Sequence, residues 1–248
     1  MLQSLRPALT RIAAGTLGLV APLLAQQPAN CNQPARDAIM HVAVPDSPFA
    51  PIATPDGCWI FVTILNPQQG AQSGVAVLRR SAGTVSVVRT IPLKAGPSGA
   101  VLTHDATMLI VAAGRMLAFL DVAQMTSGGE GAVLGYIDAG GPVGFNYVTV
   151  TRDDKVLFAT EERAATIVVI DLARGRGAVF DTAAITGRIP TGGAPIALAF
   201  SPGEQYLYTT EQAAPEALNW PIACKPEGQP TAAPNHAQGA VLVIDVRR

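Results

Sequence analysis

Glu161 and Glu211 stand 50 residues apart, each directly after a threonine at the end of a β-rich run, in "LFATE" and "LYTTE". Two carboxylates at matching places in neighbouring structural units can bind a cation or divide acid and base work, if their spacing and burial suit. Arg115 closes a comparable run, "LIVAAGR", where a guanidinium could face an oxyanion developing in acyl transfer. Asn66, Glu162 and Arg163 lie at or just past the ends of such runs, and Trp220 sits in a Pro- and Ala-rich stretch. With Arg115, Glu161 and Glu211 they make up the candidate ligand-binding set, a few placed polar groups of the kind that line a concave site. Asp46, Ser47, Ser98, Asn146 and Thr191, in the bends before the next runs, belong on the same face. For any one of them, a solvated loop tip is the plainer structural reading.

Other reactive residues fit no metal or nucleophile pattern. His41, His104 and His236 are isolated, and no two stand at metal-ligand spacing. "GPSGA" at 96–100 lacks the glycine two residues after Ser98 that a nucleophile elbow needs, and "GGPVGF" has no helix behind it to hold a phosphate. Asp121, Asp171 and Asp245 each follow four apolar residues, a position suited to accepting hydrogen bonds from backbone amides at a strand end. No cofactor is implied. In an oxidising compartment Cys31, Cys58 and Cys224 allow one disulfide and one leftover thiol.

The elements that would position these groups recur. "TPDGCWIFVTI", "THDATMLIVAA", "TRDDKVLFATE" and "SPGEQYLYTTE" each place a turn before a β-rich run, and Thr63, Ala112, Thr160 and Thr210 are equivalent, at spacings of 49, 48 and 50. A period near 50 made only of strands points to propeller blades. Upstream of each turn lie "FAPIA", "SGAVL", "NYVTV" and "PIALA", and downstream lie "GVAVLRR", "RMLAFLDVA", "TIVVIDLA" and "AVLVIDVR". Outer strands are expected in "VSVVRTIPL", "GAVLGYIDA", "AITGRIP" and, at the N-terminus, "IMHVAVP". The expected architecture is therefore all-β, a propeller of about four four-stranded repeats near 38–80, 85–122, 132–173 and 185–248. The strand at Ile39–Val44 would close the ring by pairing with the last blade, which removes the exposed edges. Residues 212–239 interrupt blade four as a long loop beside the channel mouth, suited to a lid or partner contact or to a decorated connection.

"PDGCWIFVT", "VLFATEERAATIVVIDLA" and "SPGEQYLYTTE" resemble the turn, "lyVTN" and "vsviD" elements of the YVTN-repeat propellers, the family of YncE-like and lactonase-like proteins. The resemblance covers about residues 38–248. It implies a propeller fold and, as one activity, lactone hydrolysis with Glu161 or Glu211 as base and Arg115 near the oxyanion. The family usually has seven blades. Four imply a four-bladed ring, a truncated seven-bladed propeller, or two chains that associate. Propeller geometry puts Cys31 and Cys58 toward the face opposite the long loop, which favours their pairing and leaves Cys224 free.

Half of the 248 residues are apolar and 14% are charged, enough to bury one sizeable core. Residues 1–25, with Arg6 and Arg11 ahead of an apolar run from Ile12 to Leu24, read as a signal peptide, with an uncleaved anchor or a misplaced start as alternatives. The run is shorter than the ~20 residues of a membrane span and is broken by Gly15, Gly18 and Pro22. Cleavage would remove two of 17 basic and none of 18 acidic residues, moving the net charge from −1 to −3. Residues 26–37 then form a linker. These features favour a secreted or periplasmic protein that recognises a protein, glycan or small molecule through its loop-bearing face. They leave no basic stripe for nucleic acid and no membrane contact after cleavage, and they are compatible with a homo-oligomer. A lactone hydrolase is the alternative function, and a truncated fragment the third.

Overall fold

The computed structural model describes residues 31, 33–65, 73–128, 131–139, 144–176, 180–213 and 239–247. Four antiparallel sheets follow one another along the chain. Blade one contains β1 (Ser47–Ala53), β2 (Trp59–Leu65), β3 (Gly74–Ser81) and β4 (Thr84–Pro92). Blade two contains β5 (Pro97–Leu102), β6 (Met108–Ala113), β7 (Met116–Asp121) and β8 (Val133–Asp138). Blade three contains β9 (Phe145–Val150), β10 (Val156–Glu161), β11 (Thr166–Asp171) and β12 (Ile185–Pro190). Among the described residues blade four has three strands, β13 (Gly193–Phe200), β14 (Tyr206–Ala213) and β15 (Ala240–Asp245). The sheets are meanders, each strand paired with its sequence neighbour, and the inner strands β1, β5, β9 and β13 pack side by side in that order.

The middle strands of the first three blades, β2, β3, β6, β7, β10 and β11, are largely buried on both faces, and blades two and three each lie between two others. Phe61, Val75 and Val77 of blade one meet Leu109, Val111, Ala118 and Leu120 of blade two. Ile110, Leu117 and Phe119 of blade two meet Leu157, Ala159, Val168 and Ile170 of blade three. Phe158 and Ile167 of blade three meet Leu207, Leu198 and Ile244 of blade four. Burying one such side chain contributes about 1.5–3 kcal/mol.

The turn between the first two strands of a blade repeats a local device. The hydroxyls of Thr103 and Thr151 donate to Asp105 Oδ1 and Asp153 Oδ1 at 2.6 and 2.7 Å, and the same carboxylates accept from the amides of Thr107 and Lys155 at 3.0 and 3.2 Å. Thr54 and Asp56 repeat it in blade one, where Cys58 N donates to Asp56 Oδ1 at 3.0 Å. The residue after the aspartate is left-handed: Gly57, Ala106 and Asp154 have φ of 67°, 56° and 54°, and Glu204 of blade four has 51°. Aspartate tolerates that conformation better than most side chains, and Asp154 and Glu204 also use it to reach the preceding blade. Asp154 accepts from the amides of His104 and Asp105, and Glu204 from the amide of Arg152.

The expectation of an N-terminal outer strand closing the last blade does not hold. Ile39–Val44 is irregular, and Val42 and Val44 pack on Val62, Ile64, Ala76 and Leu78 of blade one. Among the described elements, no packing like that between successive inner strands joins β13 back to β1. Two short helices, α1 (Val122–Ser127) and α2 (Leu172–Arg176), follow the third strands of blades two and three, where only strand ends were expected. The aspartates at those ends cap them. Asp121 Oδ1 accepts from Gln124 N at 2.7 Å, and Asp171 Oδ1 from Ala173 N at 2.9 Å. Cys31 and Cys58 form a disulfide that ties the N-terminal segment to blade one. Cys224 lies outside the described residues.

Candidate functional site

Because every second strand runs in the same direction, β2, β6, β10 and β14 all end on one face, together with the connections into the next inner strand. Arg115, Glu161, Glu162, Arg163 and Glu211 therefore share that face. Asn66, Trp220 and all but the ends of the long loop lie outside the described residues.

Glu161 is fully buried at the end of β10 and points back toward blade two, in line with Leu157 and Ala159. Its Oε2 accepts from Thr166 Oγ1 at 2.6 Å and from Arg188 Nε at 3.3 Å. Its Oε1 is buried and meets no hydrogen-bond partner among the described residues. The Arg188 guanidinium, 43% exposed, reaches from β12 to the Ala139 carbonyl at 3.4 Å, bridging the seam between blades two and three. Next to it, Arg115 Nε donates to Asp138 Oδ2 at 3.0 Å at the end of β8, with both side chains open to water. From the inner strand β9, Asn146 Nδ2 donates to Glu162 Oε2 at 3.0 Å. Arg163 is exposed on the following turn.

The second carboxylate does not join this group. Glu211 is 4% exposed and accepts from the amide of Gly192 at 2.7 Å, in the seam between blades three and four. Glu161 and Glu211 occupy matching slots in successive blades, yet each answers its own seam. Ser98 is structural: its hydroxyl donates to the Asn146 carbonyl at 2.9 Å, and a Cβ on Gly99 would come within 2.6 Å of the same oxygen. Glycine at that position lets β5 approach β9 closely. His104 lies on the opposite face, with Nδ1 2.9 Å from Asp154 Oδ1, and His41 is exposed. Among the described residues no group of three histidines, cysteines or carboxylates is placed to hold a metal ion.

The chain has a β-propeller fold. Its structure matches hydrazine synthase of Kuenenia stuttgartiensis at 20% identity and a TM-score of 0.62, over 83% of this chain and 53% of that one. It also matches a periplasmic gluconolactonase of Pseudomonas aeruginosa at 18% identity and 0.53, over 66% and 50%. A 6-phosphogluconolactonase-type protein of Bacteroides uniformis matches at 13% and 0.55, over 79% and 57%. At these identities the likeness is one of fold, and the chain spans about half the length of the structures it matches. No protein-family model matches the sequence, and no curated protein does.

Sequence reasoning missed Arg188 and Asp138, which organise the site. Arg188 is one cation inside the strand "ITGRIP", and its partner Glu161 is 27 residues earlier. The available signal was strand alternation, which puts Arg188 on the same sheet face as Val168, opposite it in register.

Proposed function

We propose that the loop-bearing face of this exported propeller recognises a small polyhydroxylated ligand of the sugar-lactone class, at the patch formed by Arg115, Asp138, Asn146, Glu162 and Arg188. The observation that carries this reading is the Glu161–Arg188 pair, a buried carboxylate that holds a half-exposed guanidinium at this face. Arg188 offers donors to a ring or carboxylate oxygen, and the Asn146–Glu162 pair offers a donor and an acceptor to neighbouring hydroxyls. The ligand class is drawn from the gluconolactonases that share the fold, and rests on fold-level analogy.

Hydrolysis of the lactone is the second reading, favoured by the same neighbours. Of the carboxylates on this face, Glu161 and Glu211 are closed off from solvent, Asp138 is open but held by Arg115, and Glu162 is the partly exposed candidate to activate a water. The test is calorimetric titration of the purified protein with D-glucono-1,5-lactone and with gluconate, alongside the rate of lactone opening. Saturable binding that weakens about tenfold or more in Arg188→Met supports recognition. Turnover above the spontaneous rate, lost in Glu162→Gln, supports hydrolysis. Absence of saturable heat at millimolar lactone would sink both.

A further inference from the structure

Blade four presents to solvent the face that the other three blades bury. Val75 of blade one, Leu117 of blade two and Ile167 of blade three are equivalent to Val241, and all three are completely buried against the next blade. Val77 and Phe119 are equivalent to Val243 and are equally buried. Val241 and Val243 are 59% and 56% exposed. Tyr208, paired with Val243 in register, completes this apolar face. Thr63 and Thr160 donate their hydroxyls to Ser98 and Ile196 carbonyls of the next blade at 2.7 and 3.1 Å, whereas their equivalent Thr210 is exposed.

Among the described residues the same blade has no outer strand. β15 pairs with β14 on one side, and among the described residues its other edge pairs with no strand. Unpaired edges of this kind are templates for strand addition. Residues 39–45 hold the repeat position of an outer strand: Val44-Pro45 stands before β1 as Ile91-Pro92 stands before β5 and Ile189-Pro190 before β13. Within its own chain this segment forms no strand, and it lies against the far face of blade one.

We propose that two copies of this chain associate head to tail, residues 39–44 of each pairing with β15 of the other. Blade four of one copy would then pack on blade one of its partner. The match between an unpaired edge and an outer-strand segment in the same chain is what selects a second copy as the occupant. The register of β3 with β4, in which Val75 faces Ile91 and Val77 faces Arg89, transfers to Val241 facing Val44 and Val243 facing Val42. The four valines then lie on one side of the extended sheet, where the other blades place their seam residues. A twofold operation makes both contacts at once and closes two open halves into one ring.

Light scattering on the full chain should give twice the mass of one chain at micromolar concentration. The double variant Val241→Glu/Val243→Glu should shift dissociation to at least tenfold higher concentration with an unchanged circular dichroism spectrum, since both sites are exposed in the single chain. In a Cys224→Ser background, differently tagged chains carrying Val44→Cys and Val241→Cys should oxidise to a species bearing both tags. A monomer throughout, an open series of higher oligomers, or cross-linking within one chain that carries both cysteines would each overturn the proposal.

Discussion

At one slot of the repeat the four blades divide into two pairs. Ile64 and Ala113 fill it in blades one and two, and Glu161 and Glu211 fill it in blades three and four, all at the loop-bearing end of the second strand and all buried. The strand position is the same in each case, and the difference lies in what the surrounding segments supply. Ile64 meets the carbon of Val42, Val44 and Leu78. Glu161 meets Arg188 and Thr166, and Glu211 meets the Gly192 amide. A propeller seam thus accepts a carboxylate where it also delivers donors, and that exchange creates polar chemistry in an otherwise dry interface.

The contrast breaks most severely if the polar residue is moved to the apolar seam. Ile64→Glu would bury a carboxylate among Val42, Val44 and Leu78, a situation that costs about 3–5 kcal/mol where no donor meets it. Urea denaturation should show a correspondingly lower midpoint, and a stability close to that of the unmodified protein would mean the apolar seam is less dry than its packing implies. Removing the donor from the polar seam comes next. Arg188→Met leaves Glu161 with Thr166 alone and should cost about 2–3 kcal/mol, below the full penalty of an orphaned charge because Arg188 is partly open to water.

Replacing both partners sharpens the point. Glu161→Leu with Arg188→Met makes the seam between blades two and three apolar like the surroundings of Ile64, and should return stability to within about 1 kcal/mol of the starting protein. If the double variant is as unstable as Arg188→Met alone, the pair is not an independent unit and the seam depends on Glu161 in some other way. Ligand binding separates the two roles, since under the proposed function the double variant folds yet fails to bind lactone. Glu211→Gln should change stability by no more than about 1 kcal/mol, because the amide oxygen still accepts from Gly192.

The comparison also explains how much could be seen in advance. The blades were legible because a 50-residue period of turns and β-branched runs needs no knowledge of contacts, and the shared face of Arg115, Glu161 and Glu211 follows from strand direction alone. Whether Glu161 and Glu211 cooperate was not legible. Their equivalence in the repeat suggested a pair, whereas each carboxylate faces the blade before it, so equivalent slots point into separate seams. Arg188 and Asp138 escaped for the same reason, since their meaning depends on residues 27 and 23 positions away. Ring closure was misjudged because the outer-strand pattern at 39–45 says which strand position it fills and not which blade it joins.

The smallest effect lies on the opposite face, where carboxylates serve turns in water. The Thr151 hydroxyl, and after it Lys155, hold the Asp153 carboxyl below its ordinary value. A depressed value in the folded state means that this turn adds stability above the pH at which a free aspartate ionises, and that the contribution disappears as pH falls through the folded value. The group is exposed, so the shift is salt-sensitive. In an NMR titration, Thr151→Val should move the Asp153 midpoint back toward that of a free aspartate, and Lys155→Ala should move it less. Equal effects from the two would mean that charge, rather than the hydroxyl bond repeated in blades one and two, holds these turns.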